Sequence, residues 1–264
     1  MFMCRQDTYY SYKNKNMPKV SIVVPVYKAE LFLEETIQTV LNQTYENWEM
    51  LLINDCSPDA SFEIAEKYLG DKIKWFEQEI NSGAGLTRNR GIKEATGKYI
   101  CFLDADDLWD IDKLEKQVAF MEEKDCEFSF TSYEFANRDG VPNGNKVIVP
   151  EKINYNQALK NVTIWTSTVM FNMEKLTKED IYMSDIRRGQ DAATWWKVLK
   201  KVDHAYGIKD IFSYYRRTQN SLSANKLIAL KRTWYLYRKV EKFGILKSSY
   251  YFVFSVLNAI RRRI

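Results

Sequence analysis

Ile100-Cys101-Phe102-Leu103-Asp104-Ala105-Asp106-Asp107 is an apolar run that ends in three carboxylates. The run suits a strand buried on both faces, and the carboxylates at its end repel one another, which raises a pKa or recruits a cation. A hard divalent ion with oxygen ligands is the usual partner where phosphates are also bound. Taken alone, the triplet reads as a solvated acidic turn, so its surroundings decide its meaning.

Working outward from this run, short apolar segments alternate with amphipathic ones, the pattern of successive strand–helix units. Residues 20–26 read as a buried strand that turns into a loop near Pro25, and residues 30–43 read as a helix with Leu33, Ile37, Val40 and Leu41 on one face. Strands over 48–53, 73–76 and 98–103 alternate with helices over 60–69 and 85–95. These units imply an α/β fold with a mostly parallel central sheet flanked by helices, whose binding crevice lies at the carboxyl ends of the strands. Tyr27, Asp55, Asn81 and the pair Asp104 and Asp106 each follow a strand, so all face that crevice. Each alone also reads as turn chemistry; their shared position is what points to a site. Downstream, 127–133 and 162–171 read as strands separated by a Gly/Asn/Pro-containing hairpin or flap over 137–145. Gly189-Gln190-Asp191 opens a helix carrying Trp195, Trp196, Val198 and Leu199, where Asp191 could also simply complement the helix dipole.

Composition narrows the chemistry. The 264 residues are 45% hydrophobic with 10 Gly and 5 Pro, enough for a packed core and unlike a disordered chain. Four widely spaced cysteines, Cys4, Cys56, Cys101 and Cys126, form no C-x-x-C pair and fit a reducing compartment. The single histidine, His204, excludes a multi-histidine zinc site, and excludes Ser-His-Asp or Cys-His catalysis unless it serves there itself. Residues 1–18 read as a polar, Tyr-rich leader without the apolar core of a signal peptide, and the expected location is cytoplasmic. The positive charge is concentrated from residue 226 onward, where ten basic residues face one acid, Glu241.

The motifs in order resemble the family 2 inverting glycosyltransferases of the GT-A fold, of the bacterial polysaccharide-assembly type. The resemblance is carried by Val20-Ser21-Ile22-Val23-Val24-Pro25-Val26-Tyr27, Leu41-Asn42-Gln43-Thr44-Tyr45 and Leu51-Leu52-Ile53-Asn54-Asp55-Cys56-Ser57. It continues through Asn81-Ser82-Gly83, Arg88-Asn89-Arg90-Gly91, Ala95-Thr96-Gly97-Lys98-Tyr99-Ile100 and Leu103-Asp104-Ala105-Asp106-Asp107. It covers roughly residues 19–220, with 19–110 as the nucleotide-sugar donor half and 111–220 as the acceptor half. Cys56 departs from the family's usual glycine after the aspartate.

The resemblance implies transfer of a sugar from a nucleotide-diphosphate sugar, most commonly a UDP-sugar in the family, to a hydroxyl of a glycan or lipid-linked oligosaccharide acceptor. It implies that Pro25, Val26, Tyr27, Asp55 and Asn81 contact the nucleotide, and that Asp104, Ala105 and Arg88 contact the donor. Asp106 would ligate Mg2+ or Mn2+. Asp191, matching the family's helix-opening aspartate, would be the catalytic base, with Gln190 in place of the usual acid beside it. Arg216 and Arg217, before Thr218 and Ser221, match the segment that closes over the diphosphate, where guanidinium suits phosphate. Asp107 has no assigned role, as an outer contact of the site or as a helix-start residue.

Trp165, beside Thr166 and Ser167, is the acceptor-side candidate, an aromatic face for a sugar ring that reads as well as a core tryptophan. Residues 221–264 read as a basic amphipathic helical tail. Its apolar part, 245–260, is shorter than the ~20 residues a membrane span needs. An interfacial helix with basic flanks is preferred, putting the enzyme peripherally on the inner face of the cell membrane for capsule, exopolysaccharide or wall-polymer synthesis. Packing on its own domain or on a second copy in a homo-oligomer is the competing reading. A nucleotidyltransferase would need a Gly-rich phosphate loop that Pro25-Val26-Tyr27-Lys28 lacks. A non-catalytic carbohydrate-binding or scaffold protein would not need Asp106 and Asp191 together. The tail's apolar density argues against nucleic acid.

Overall fold

The structure is a computed structural model and describes residues 17–161, 163–217 and 226–261. Most of the expected leader, together with Cys4, Thr218, Ser221 and the Arg262-Arg263 terminus, lies outside the described residues.

The first half is the alternation the sequence predicts. β1 (Val20–Val26), β2 (Trp48–Asn54), β3 (Ile73–Glu77) and β4 (Tyr99–Phe102) are joined through α1 (Leu33–Leu41), α2 (Ser61–Glu66) and α3 (Ala84–Glu94). β1 pairs in parallel with both β2 and β4, and β2 pairs in parallel with β3. Alternate residues of β1 feed opposite cores. Val20, Ile22, Val24 and Val26 pack with Leu33, Ile37 and Val40 of α1, while Val23 packs with Leu51, Ile53 and Ile92 on the other face. This burial on both sides is why the strands read as unbroken apolar runs. Leu41, expected on the buried face of α1, is instead exposed at the helix end.

The second half adds β5 (Leu108–Trp109), α4 (Lys113–Lys124), β6 (Phe128–Ala136), β7 (Pro142–Val147), β8 (Lys152–Ile153) and α5 (Tyr155–Lys160). β9 (Met170–Asn172), α6 (Lys178–Ile181), α7 (Gln190–Leu199) and β10 (Ala205–Arg216) follow. All ten strands form one sheet, ordered β3-β2-β1-β4-β9-β6-β10-β5, with β7 beside β6 and β8 beside β10. The first four strands are parallel, whereas β9 runs antiparallel to both β4 and β6, so the sheet as a whole is mixed. β6 and β7 form the expected hairpin. The strand expected over 162–171 is reduced to β9, preceded by a 3₁₀ turn, Thr166–Thr168. Thr168 donates its backbone N–H and its hydroxyl to the Trp165 carbonyl, a local arrangement that competes with ladder pairing.

Two glycines set how closely elements approach. A Cβ on Gly91 would lie 2.3 Å from Val23 Cγ1, so α3 rests directly on β1. A Cβ on Gly97 would meet the Lys19 carbonyl at 2.6 Å, so the turn before β4 lies against the start of β1. Glu49 knits the same corner: it accepts from Lys19 Nζ (2.8 Å), Ser21 Oγ (2.7 Å) and the Thr96 backbone N–H (2.9 Å).

The described part of the expected tail, residues 226–261, packs on this body. α8 (Lys226–Tyr235) runs through a π-helical turn, Leu236–Val240, and α9 (Ile245–Arg261) follows. Leu236, Tyr237 and Tyr251 join the core, where Tyr237 stacks on Trp196 at 5.4 Å between ring centroids. Tyr251 donates to Asn156 Oδ1 on α5. The opposite side of α9 leaves Leu246, Tyr250, Val253 and Leu257 exposed, at spacings of four, three and four residues that make one stripe. Among the described residues no helix is long and apolar enough to cross a membrane.

Burial alone would raise the Glu49 carboxyl, but the donations from Lys19, Ser21 and Thr96 prevail and hold it down at about 2. A folded pKa below the usual 4.5 contributes stability that is present above that value and lost as pH falls toward 2, about 3 kcal/mol in all. Glu49→Gln should therefore unfold more easily in urea at pH 7 and show a flatter stability profile between pH 4.5 and 2. A variant with the wild-type acid profile would remove Glu49 from this role.

Candidate active site

The carboxyl ends of β1, β2 and β4 open into a cleft of about 530 Å3, as the parallel topology requires. Pro25, Val26, Tyr27, Asp55, Asn81, Arg88, Asp104, Ala105 and Asp106 all line it, so nine residues singled out from the sequence meet in one cavity. Arg216, Arg217, Trp165 and Asp191 are not on its wall.

The floor is built by backbone geometry. After β1, Lys28 takes a φ of 52°, and its N–H donates to Ser57 Oγ (2.7 Å). After β2, Cys56 takes a φ of 57°, the left-handed region that glycine enters without cost and that costs other residues roughly 1–2 kcal/mol. The family's glycine is thus explained by this turn, which Cys56 preserves. Ser57 N–H on Asn54 Oδ1 (2.8 Å) helps hold it. Asp55 is nearly buried, and its two oxygens accept the N–H groups of Ser82 (2.7 Å) and Gly83 (2.9 Å). Asn81 donates to the Asp55 carbonyl (2.8 Å). Asp55 therefore also shapes the loop that leads into α3. Tyr27, 47% exposed, leaves an aromatic face at the mouth.

At the acidic end, Arg88 reaches from α3 to form an ion pair with Asp104. Asp106 accepts no hydrogen bond from another described residue. Burial, then the neighbouring Asp104 charge, pushes its carboxyl up to about 6, against the opposite pull of Arg216 and Arg88. Among the described residues no group of three or more His, Cys, Asp or Glu side chains could hold a metal unaided. Asp106 with Asp104 nonetheless fits a hard divalent cation: oxygen donors carrying surplus negative charge, in a cleft where phosphate oxygens can complete the shell.

Asp107, without a role from the sequence, is the buried member of the triplet at 1% exposure. It accepts from Trp165 Nε1 (2.9 Å), Ser167 Oγ (2.5 Å) and the Arg216 backbone N–H (3.3 Å). Burial and the Asp106 and Asp104 charges push its carboxyl well above the ordinary range, while Ser167 and Trp165 pull it down. Trp165 is thereby fixed by its N–H, with its ring 4.1 Å from that of Tyr215. Arg216, expected at the diphosphate, lies behind the cleft wall. Its guanidinium is buried, paired with Glu35 (2.5 Å), donated to the Arg138 carbonyl (3.0 Å) and seated over Phe32. Arg217 is exposed over the Phe135 ring.

The opposite wall is Ser184 to Arg187, not singled out from the sequence, together with Gln190, which the sequence placed beside the expected base. It is held by a reciprocal pair, Asn89 Nδ2 to the Met183 carbonyl (2.9 Å) and Met183 N–H to Asn89 Oδ1 (2.7 Å). Gln190 lies against Gly85, where a Cβ would come within 3.0 Å of Gln190 Cγ. Its Oε1 and the Nε of Arg88 are buried without a hydrogen-bond partner, polar capacity left unused beside the cleft. Asp191 follows in the first turn of α7, after Gly189 with a φ of 81°; it is partly exposed and engages no other described side chain.

Residues 21–182 match the model of glycosyl transferase family 2. The chain is 41% identical over 249 residues to TuaG of Bacillus subtilis, a glycosyltransferase named for teichuronic acid biosynthesis, covering 94% of this chain and 98% of that one. It is 36% identical over 225 residues to WfgD of Escherichia coli, a UDP-Glc:alpha-D-GlcNAc-diphosphoundecaprenol beta-1,3-glucosyltransferase, covering 81% and 83%. Among solved structures, S. aureus TarS residues 1–349 with UDP-GlcNAc superimposes with a TM-score of 0.69 at 21% identity, covering 90% and 71%. A Pyrobaculum calidifontis mannosyltransferase with GDP-Man and Mn2+ superimposes with a TM-score of 0.68 at 17% identity, covering 93% and 75%. At those identities the two structures speak to the shared fold.

Asp107→Ala would strip three donors of their acceptor in a buried place. Urea unfolding should show a loss of about 2–4 kcal/mol. Unchanged stability would mean that these donors find other partners and that Asp107 anchors nothing.

Proposed function

The chain belongs to glycosyl transferase family 2, and from that membership we propose that it is an inverting enzyme. It moves a sugar from a nucleoside-diphosphate sugar, with UDP the favoured nucleotide, to a hydroxyl of a lipid-linked glycan. The observation that carries the reading is the convergence of Tyr27, Asp55, Arg88, Asp104 and Asp106 on one cleft at the strand ends. The named activity of the WfgD relative, transfer from UDP-Glc to a diphosphoundecaprenol-linked sugar, supports the donor and acceptor classes.

In this reading Tyr27 stacks on the base, while the loop organised by Asp55 and Asn81 encloses the nucleoside. Arg88 stays paired with Asp104 and orients it toward the donor. Asp106, with Asp104, would hold Mg2+ or Mn2+, and a cation bound there would neutralise charge developing on the departing nucleoside diphosphate. Asp191 is the general base. It accepts the proton of the acceptor hydroxyl as that oxygen attacks the anomeric carbon from the face opposite the leaving group, which inverts the configuration. Gln190 beside it is neutral, so no second carboxylate disturbs the base. Trp165 flanks the acceptor from the Asp107 side.

Peripheral attachment to a membrane surface belongs to the same reading. The stripe Leu246, Tyr250, Val253 and Leu257 is exposed, and Lys239, Lys242 and Lys247 lie near it in sequence, a combination that suits an anionic lipid surface. The chemistry of capsule, exopolysaccharide or wall-polymer assembly fits such a location.

Two measurements test these roles. With a panel of nucleotide sugars and diphosphoundecaprenol-linked acceptors, Asp191→Asn should bind donor normally and lose about 10²–10⁴-fold in transfer rate. Asp106→Ala should lose metal-dependent donor binding. Normal transfer by both variants would refute the assignment. For the membrane, the triple change Leu246→Ser, Val253→Ser, Leu257→Ser removes the aliphatic members of the stripe while sparing the core contacts of Tyr251. It should abolish sedimentation with phosphatidylglycerol vesicles; undiminished sedimentation would sink the lipid-facing role.

A further inference from the structure

Beside the donor cleft lies a second groove of about 590 Å3, between the segment 185–188 and one face of α8. Its charged lining is Arg187, Arg188, Lys231 and Arg232 against the single acid Asp185. None of the four cations is ion-paired among the described residues. Unpaired like charges gathered in a concavity repel one another, and such an arrangement is relieved when a multiply charged anion enters.

Three features say where this groove stands in the reaction. It shares Asp185, Ile186 and Arg187 with the donor cleft, so the two cavities are separated by one short segment. Arg232 lies against Gly189, where a Cβ would come within 3.2 Å of Arg232 Cδ, and Gly189 is two residues from Asp191. The cations therefore sit at the start of the helix that carries the proposed base. Finally, Ile228, Lys231, Arg232 and Tyr235 form one face of α8, while Trp234 on another face meets Phe252 of α9 edge-on. One helix thus connects the basic groove to the helix that bears the exposed apolar stripe.

From this juxtaposition we propose that the groove binds the diphosphate of a polyprenyl-diphosphate-linked acceptor, so that the sugar next to that diphosphate is delivered to Asp191. The inference rests on the acceptor class of the proposed function and adds the subsite that recognises it. Esterified at both ends, that diphosphate carries two negative charges, and the four cations and one carboxylate leave a net positive groove to receive them. The lipid leaves along α8 toward α9.

Farnesyl diphosphate, farnesyl monophosphate and farnesol serve as probes, titrated below their micellar concentrations with UDP present to fill the donor cleft. Wild type should bind the diphosphate at least about tenfold more tightly than the monophosphate or the alcohol. Arg188→Ala with Lys231→Ala, both exposed positions, should weaken diphosphate binding by about tenfold or more and leave UDP binding and the melting temperature unchanged. Equal affinity for the three probes, or undiminished diphosphate binding by the double variant, overturns the proposal. So does a double variant that loses only phosphatidylglycerol vesicles, because the groove would then serve a lipid headgroup. Wild type that binds farnesyl diphosphate but no UDP would instead overturn the donor reading and leave the groove assigned.

Discussion

The buried carboxylate of Asp107 is the interaction on which the site depends. It ends the run after β4, in the first half of the chain, and gathers Trp165, Ser167 and the backbone of Arg216 from the second half. Those partners lie 58 to 109 residues away in sequence. A charge-bearing group at 1% exposure is tolerated only when its hydrogen bonds are made, so the local geometry of both halves is tied to it. Asp104 and Asp106, two positions with less burial, inherit their orientation from that fixed end. Ser167 also accepts the Asp104 backbone N–H (3.1 Å), which adds a second tie across the same seam.

The three adjacent aspartates show how environment divides labour among identical side chains. Asp104 is neutralised by Arg88, Asp107 is enclosed by neutral donors, and Asp106 is left with burial and a like charge and no strong partner. An under-compensated carboxylate in a cleft is the one with capacity for something from outside. The same argument applies to the basic groove, where the unpaired groups have the opposite sign. A polar site next to a polar site, of opposite needs, suits a reaction in which two phosphorylated substrates must be held apart yet adjacent.

Much of the first half was legible in the sequence because its strands are buried on both faces and their ends carry the candidate site residues. Periodicity then gives the strand, and the strand gives the side of the sheet. Tyr27, Asp55, Asn81 and Asp106 could be brought together on that basis alone. What could not be read was any role set by partners distant in the chain. Asp107 has no local signal, since its side-chain donors come from a 3₁₀ turn that reads as strand and its backbone donor from the end of β10. Arg216 pairs with Glu35, 181 residues away, a contact that nothing in its local sequence announces. The wall from Ser184 to Arg187 depends on Asn89 pairing with Met183, two residues with nothing in their local sequence to link them.

The sheet itself sets the mechanics of turnover. β4, β9 and β6 form an uninterrupted hydrogen-bonded bridge between the two halves, and β10 extends it to β5 at the far edge. A hinge that swung one half against the other would have to break ladder bonds and shear the aromatic cluster of Phe102, Phe128, Phe171 and Trp195 beneath them. Domain closure is therefore expensive in this architecture, and substrate entry and product exit fall to segments outside the sheet. The stretch from Ser184 to Arg188, tethered at Met183 and again at Gly189 but forming part of both cavities, is the piece able to move without dismantling the body.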